Sequence, residues 1–163
     1  DVAERVLEQY STGIEFVLVG GGSMLDQVTE RIEQSPYKEN IETVGMIDDV
    51  SKMYSEFDLL LHVSDIEGLP NVILESQAHG VPVICTDAGG SKSAFIPSIS
   101  GKLIEIGNID GAVQALISAI DDVEWRKNAS LAGIEYIKES FSANKIFNNW
   151  ISIYRNEEAI EVD

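Results

Sequence analysis

The sequence predicts an α/β fold: a parallel sheet with helices on both faces. Three observations carry this expectation. Short runs rich in Val, Ile and Leu recur at residues 14–19, 41–44, 58–63, 82–85 and 102–106. Longer segments with helical spacing of apolar residues separate them. Glycine, proline or aspartate stands at nearly every junction. Strands that alternate with helices make a parallel sheet, because each parallel connection must cross over the sheet and a helix does so.

In chain order, residues 1–10 read as a helix, with Val2, Val6, Leu7 and Tyr10 spaced for one face, and Ser11-Thr12-Gly13 as a turn. Ile14–Val19 is a strand, followed at once by Gly20-Gly21-Gly22-Ser23 and a helix from about Met24 to Gln34, which Ser35-Pro36-Tyr37 breaks. A short strand over 41–44 ends in Gly45-Met46, and Asp48-Asp49 caps a short helix through Ser55. The strand at 58–63 leads to a helix over about 70–79, with Pro70 suited to its first position and Gly80 ending it. Pro82 opens the next strand, and a loop over 86–91 follows. Residues 91–100 are mixed, because Pro97 prevents a long helix. A last strand covers Lys102–Ile106, and helices occupy about 109–121, 123–138 and 142–154. No repeat, low-complexity tract or linker divides residues 1–163, so one domain is expected, with its C-terminal helices at about 109–155. The architecture is Rossmann-like. Because the chain enters on a helix, the first strand of the sheet is expected upstream of Asp1.

Composition narrows the function. The chain has 163 residues, 44% hydrophobic and 24% charged, with a net charge of −17. That charge disfavours a nucleic-acid partner, which is held by cations against phosphate. A small anionic ligand stays open, since backbone amides at a helix N-terminus bind phosphate without side-chain cations. The single cysteine, Cys85, sits inside an apolar strand and reads as a small buried hydrophobe. No disulfide framework or cysteine-rich zinc site can be built from it.

The chemistry concentrates at residues 67–75, Glu-Gly-Leu-Pro-Asn-Val-Ile-Leu-Glu. Two carboxylates flank a turn that opens a helix, at the carboxyl end of a strand. Ligands of open α/β sheets bind at such loops. An ionised carboxylate accepts hydrogen bonds, so Glu67 and Glu75 are candidate ligand contacts. Backbone N–H groups of Leu69, Asn71 and Val72 suit phosphate; Pro70 has none to offer. The Asn71 side chain either caps its own helix or touches a ligand. Gly20-Gly21-Gly22 lacks the full G-x-G-x-x-G spacing of a dinucleotide loop, since Leu25 stands at the last glycine position. Met46 reads equally as core or as an apolar wall. His62 and His79 have no third ligand nearby, so no metal is expected. No G-x-S-x-G elbow marks a hydrolase. A glycosidase acid–base pair is disfavoured by the helix N-terminus between the two glutamates.

The run from Ser64 through Glu67, Gly68, Leu69, Pro70, Asn71 and Glu75 to Gly80-Val81-Pro82-Val83-Ile84 resembles the signature of the retaining glycosyltransferases of the GT-B fold, family 4, called glycosyl transferases group 1. Glu67 and Glu75 fit its pair of glutamates separated by seven residues. Val19-Gly20-Gly21-Gly22, Val44-Gly45, Thr86-Asp87-x-Gly89-Gly90, Gly101-x-Leu103, and Phe141-Ser142 with Trp150 and Tyr154 resemble further parts of the family pattern, in order. Where the family usually has a glutamate after the Gly-Gly pair, this chain has Ser93, preceded by Lys92.

The resemblance implies the C-terminal, donor-binding half of a GT-B enzyme. Its substrate would be a nucleotide diphosphate sugar such as a UDP- or GDP-hexose, with no cofactor and no metal. Glu67 would contact hydroxyls of the transferred sugar and count as the catalytic position; Glu75 would bind the ribose. Gly68, Leu69, Asn71 and Val72 would meet the phosphates, Gly21 and Gly22 would line the cleft, and Met46 would lie near the base. An arginine and a lysine that hold the diphosphate in the family are expected upstream of Asp1. So is an N-terminal acceptor domain, through which the enzyme would associate peripherally with the inner face of the membrane, in the cytoplasm. Retention is expected through front-face attack, with no covalent nucleophile. The alternative is a non-catalytic Rossmann-like nucleotide-binding or interaction module. A basic strand and a further domain upstream would discriminate the two.

Overall fold

Val83, Ile84 and Cys85 have no exposed surface, and they explain the layering. In the computed structural model, which describes residues 1–10 and 13–155, they form the strand β4 (Val83–Thr86), buried at every position. Successive side chains of a strand point to opposite faces. Ile84 faces a cluster with Val6, Ile104, Ala112, Val113, Leu116 and Ala119. Val83 and Cys85 face the other way, toward Ile73, Ala94 and Phe95. A strand buried on both faces reads as an uninterrupted apolar run, as this one does. Full burial of a side chain such as Ile84 contributes roughly 2 kcal/mol. The same burial pushes the Cys85 thiol up to about 12, so it stays protonated and inert.

The elements in order are α1 (Val2–Leu7), β1 (Phe16–Val19), α2 (Leu25–Glu33), β2 (Ile41–Gly45), α3 (Ser51–Tyr54), β3 (Leu60–His62), α4 (Asn71–Ala78), β4, β5 (Gly101–Ile104), α5 (Ile109–Asp121), α6 (Val123–Ser140) and α7 (Ala143–Tyr154). Helices α1 and α5 cover one face, and α4, backed by α6, covers the other. The apolar positions Ala112, Val113, Leu116 and Ala119 make one stripe of α5. Side-chain caps begin the three last helices: Asn108 accepts from Gly111 N–H (2.7 Å), Asp122 from Trp125 N–H (2.8 Å) and Ser142 from Lys145 N–H (3.4 Å).

All strand pairs are parallel, as expected. β1 pairs with β2, and β4 lies between β3 and β5. Among the described residues these are two hydrogen-bonded pieces rather than one continuous sheet. The strands are also shorter than their apolar runs. Ile14, Leu59, Val63 and Ile106 flank strands without joining a ladder. Val63 and Ile106 are exposed, so the apolar runs continue past the buried part of the ladder. Pro70 corrects a second expectation. It is not the first helical residue but the one before it, with an extended ψ of 112°, and its carbonyl accepts from Ile73 (3.1 Å) and Leu74 (3.4 Å). The residues of the expected Ser11-Thr12 turn lie outside the described residues. Among the described residues, no helix is long and apolar enough to cross a membrane.

Candidate functional site

Parallel strands all point one way, so the loops after them gather at one end of each sheet. Seven residues separate Glu67 from Glu75, and the structure spends them on one turn and the first turn of α4. Asn71 and Val72 lead the helix. Their N–H groups have no carbonyl ahead of them within α4, and the N-cap residue, Pro70, offers no side-chain cap. Asn71 itself is exposed at the first position of the helix. Gly68 and Leu69 are exposed in the turn, and Pro70 is buried beneath it.

Each carboxylate is held by a different element. His62, the last residue of β3, places Nε2 2.9 Å from Oε1 of Glu67. The side chains are 22% and 24% exposed. This hydrogen bond, with a smaller influence of the neighbouring Ser64 hydroxyl, holds the Glu67 carboxyl below the usual carboxylate range. The Ser64 proton itself is directed at the carbonyl of Ile66 (3.1 Å). Glu75 accepts from the hydroxyl of Tyr54 at 3.3 Å, and the same hydroxyl lies 3.3 Å from the carbonyl of Val72. Tyr54 closes α3, is 2% exposed, and stacks on His79 with ring centroids 5.0 Å apart. Burial, then the charge of Glu75, pushes its phenol up to about 12, so it donates at any ordinary pH.

The turn is also gripped through its backbone. Thr86 Oγ1, at the end of β4, accepts from Ser64 N–H (2.9 Å) and donates to Ser64 C=O (2.6 Å). Gly90 N–H donates to the carbonyl of Glu67 (3.2 Å). The two loops are so close that a Cβ on Gly90 would lie 1.6 Å from the carbonyl oxygen of Gly68, and one on Gly89 2.3 Å from that of Glu67. Only glycine permits this approach. Lys92 pairs with Asp87 across 4.0 Å at the surface, a weak interaction. The carbonyl of Ser93 accepts from the Tyr136 hydroxyl (2.9 Å).

The remaining sequence-predicted residues form a second group, at the ends of β1 and β2. Gly20 N–H continues the ladder to Gly45 C=O (2.8 Å). Gly22, with φ +128°, turns the chain toward α2. Met46 is 86% exposed, so it is not a core residue; it lies over Gly21, where a Cβ would meet its Cγ at 2.7 Å.

Sequence reasoning missed His62, Tyr54 and Thr86 as site residues. His62 was weighed only as a metal ligand. A signal for it existed: a polar ring in an apolar strand needs a hydrogen-bond partner, and two carboxylates, Asp65 and Glu67, follow within five residues. Nothing local marks Tyr54, whose partner depends on how α3 packs.

The family model "Glycosyl transferases group 1" matches residues 1–136. The Vi polysaccharide biosynthesis protein VipC/TviE of Salmonella typhi is 41% identical over 154 residues, which cover 93% of this chain and 26% of that protein. A crystal structure of an S. aureus TarM mutant, in complex with fondaparinux, α-GlcNAc-glycerol and UDP, superposes with a TM-score of 0.83 at 25% identity over 94% of this chain and 31% of that one. The C-terminal domain of the group 1 glycosyl transferase LpcC from Francisella tularensis shares the fold, with a TM-score of 0.75 at 22% identity over 87% of this chain and 76% of that one. The chain therefore spans about a quarter to a third of the longer relatives it matches, and about three quarters of the isolated domain. With more than four fifths of its length matched by the family model and these folds superposed on it, the chain belongs to the glycosyl transferases group 1 family.

Proposed function

We infer that this chain is the donor-binding part of a retaining glycosyltransferase that moves a hexose from a nucleotide diphosphate sugar to a glycan or lipid acceptor. One observation carries the reading. Two carboxylates, each pinned by its own partner, stand on either side of an uncapped helix N-terminus. That arrangement matches the three parts of such a donor. Glu67 accepts from hydroxyls of the sugar. The N–H groups of Asn71 and Val72, aided by the α4 dipole, meet the phosphates. Glu75 accepts from the ribose hydroxyls, and the exposed Met46 beside Gly21 and Gly22 offers an apolar surface to the base. The TarM relative is described with UDP, which supports this class of nucleotide.

In the reaction, the bond from the sugar's anomeric carbon to the diphosphate breaks as an acceptor hydroxyl attacks the same face, and the departing diphosphate takes its proton. Diphosphate charge is what needs stabilising, and the chain's −17 argues that cations come from elsewhere. We place them on a strand upstream of Asp1. β1 and β3 each have one edge without a strand partner among the described residues, where such a strand would fit. An N-terminal domain would supply the acceptor site and a peripheral contact with the cytoplasmic face of the membrane.

The test is calorimetric titration of the protein at its natural length with UDP, GDP and ADP and with their hexose conjugates. We expect one nucleotide series to bind, and its sugar conjugate to bind more tightly than the bare nucleotide. Absence of binding in all three series would overturn the reading. Proton NMR of the sugar first released by slow donor hydrolysis tests retention: the donor's anomeric configuration is expected, and the opposite one would contradict it.

A further inference from the structure

His62 has no task in the donor-site reading, yet its place is specific. It ends β3, a strand of three residues whose other members, Leu60 and Leu61, are packed into the two cores. By strand alternation His62 shares the face of Leu60, on the side covered by α4. A polar ring there costs free energy unless it is hydrogen-bonded. Its Nε2 is bonded, 2.9 Å from Glu67 Oε1.

The two groups reach each other from separately braced points. His62 is fixed by the β3–β4 ladder, opposite Cys85. Glu67 is fixed through its carbonyl by Gly90, and the start of its turn by Thr86 on Ser64. A glutamate on an open loop samples many rotamers, and a ligand that selects one loses affinity by doing so. Here the rotamer is selected in advance. With Oε1 engaged by the ring, Oε2 is the oxygen with both lone pairs open to a ligand hydroxyl. Glu75 has a separate partner in Tyr54, so this brace acts on one carboxylate only.

We propose that His62 is a positioning residue for the donor sugar: by holding Glu67 Oε1 it presents Oε2 to a hydroxyl of the transferred hexose, and so sets the preference for a nucleotide sugar over the bare nucleotide. The proposal rests on the donor-site reading above. His62 touches no sugar atom; it acts through Glu67. A purely structural His62 would fill the strand end and affect stability without affecting this preference.

The experiment uses the protein at its natural length. Titrations with UDP, UDP-glucose and UDP-N-acetylglucosamine, and with GDP and GDP-mannose, give the ratio of sugar-nucleotide to bare-nucleotide affinity. The chains compared are the unsubstituted protein, His62→Leu, His62→Gln, Glu67→Ala and the double variant His62→Leu/Glu67→Ala, each with its melting temperature. His62→Leu is expected to lower the ratio about tenfold while bare-nucleotide affinity stays within about twofold. His62→Gln, whose amide carries an N–H to a similar place, is expected to restore most of the ratio. The double variant is expected to match Glu67→Ala alone, because a brace has no effect once its object is gone. If His62→Leu does not fold, His62→Asn decides, since its shorter amide falls short of Glu67 and the ratio should still drop. An unchanged ratio in His62→Leu or His62→Asn, with a lowered one in Glu67→Ala, would overturn the positioning role and leave the donor site standing. An unchanged ratio in Glu67→Ala, or no nucleotide binding by the unsubstituted protein, would overturn both.

Discussion

The loop after β3 is held at its backbone by Thr86 and Gly90 and at its carboxylate by His62, whereas the ends of β1 and β2 share one backbone hydrogen bond, Gly20 to Gly45, and an exposed methionine over Gly21. Both lie at carboxyl ends of parallel strands, and both contain residues the sequence singles out. The burial of their strands separates them. β4, which supplies the brace, is buried at all four positions; β1 has Leu18 and Val19 partly open to solvent. A loop can be gripped only by something itself fixed. On the donor-site reading proposed above, the contrast means that the sugar end of the site is organised before a ligand arrives, while the base end has fewer braces. Binding energy goes further at a preorganised site, because less of it is lost to ordering.

The largest expected effect comes from forcing the braced loops apart. Gly90→Ala puts a Cβ into the backbone carbonyl of Gly68, which cannot swing away as a side chain can. We expect a loss of about 3 kcal/mol or more in urea unfolding, with sugar-nucleotide binding abolished. A stable, binding-competent variant would show that the loops are not rigidly apposed. Next in size is Thr86→Val, which keeps the shape of the side chain and strips both bonds from Ser64. About 2 kcal/mol of stability is expected to go, since two backbone groups lose their partner.

The order of the elements and the position of both carboxylates were readable in advance, because the cues are local. Apolar runs, Gly80, Pro82 and the spacing of Glu67 to Glu75 are all found within a few residues of what they mark. The braces on Glu75 and on the loop backbone were not readable. Tyr54 reaches Glu75 from 21 residues away, and Thr86 reaches Ser64 from 22, so both depend on how helix and strand pack. Pro70 was placed one position too far into its helix, because proline fixes φ but leaves ψ to its surroundings, and here ψ is extended.

Smaller effects sharpen the comparison from the other side. Tyr54→Phe removes one hydroxyl proton shared between two acceptors, each 3.3 Å away, and leaves the stacked ring in place. Bare-nucleotide affinity is expected to fall about fivefold, equally for the sugar conjugate, with stability changed by about 1 kcal/mol or less. A change confined to the sugar conjugate would contradict the assignment of Glu75 to the ribose. The smallest effect is expected from Met46→Ala. The side chain is too exposed to support the fold, so the melting temperature should hardly move, and nucleotide affinity should drop about two- to threefold. A marked loss of stability would mean that the base end is braced after all.

The division of labour between the two glutamates is the central claim, and calorimetry on Glu67→Ala and Glu75→Ala tests it most directly. The account predicts that Glu75→Ala weakens the bare nucleotide and its sugar conjugate by the same factor, while Glu67→Ala weakens only the conjugate and leaves the bare nucleotide unchanged. Equal losses for both ligands in both variants would contradict it.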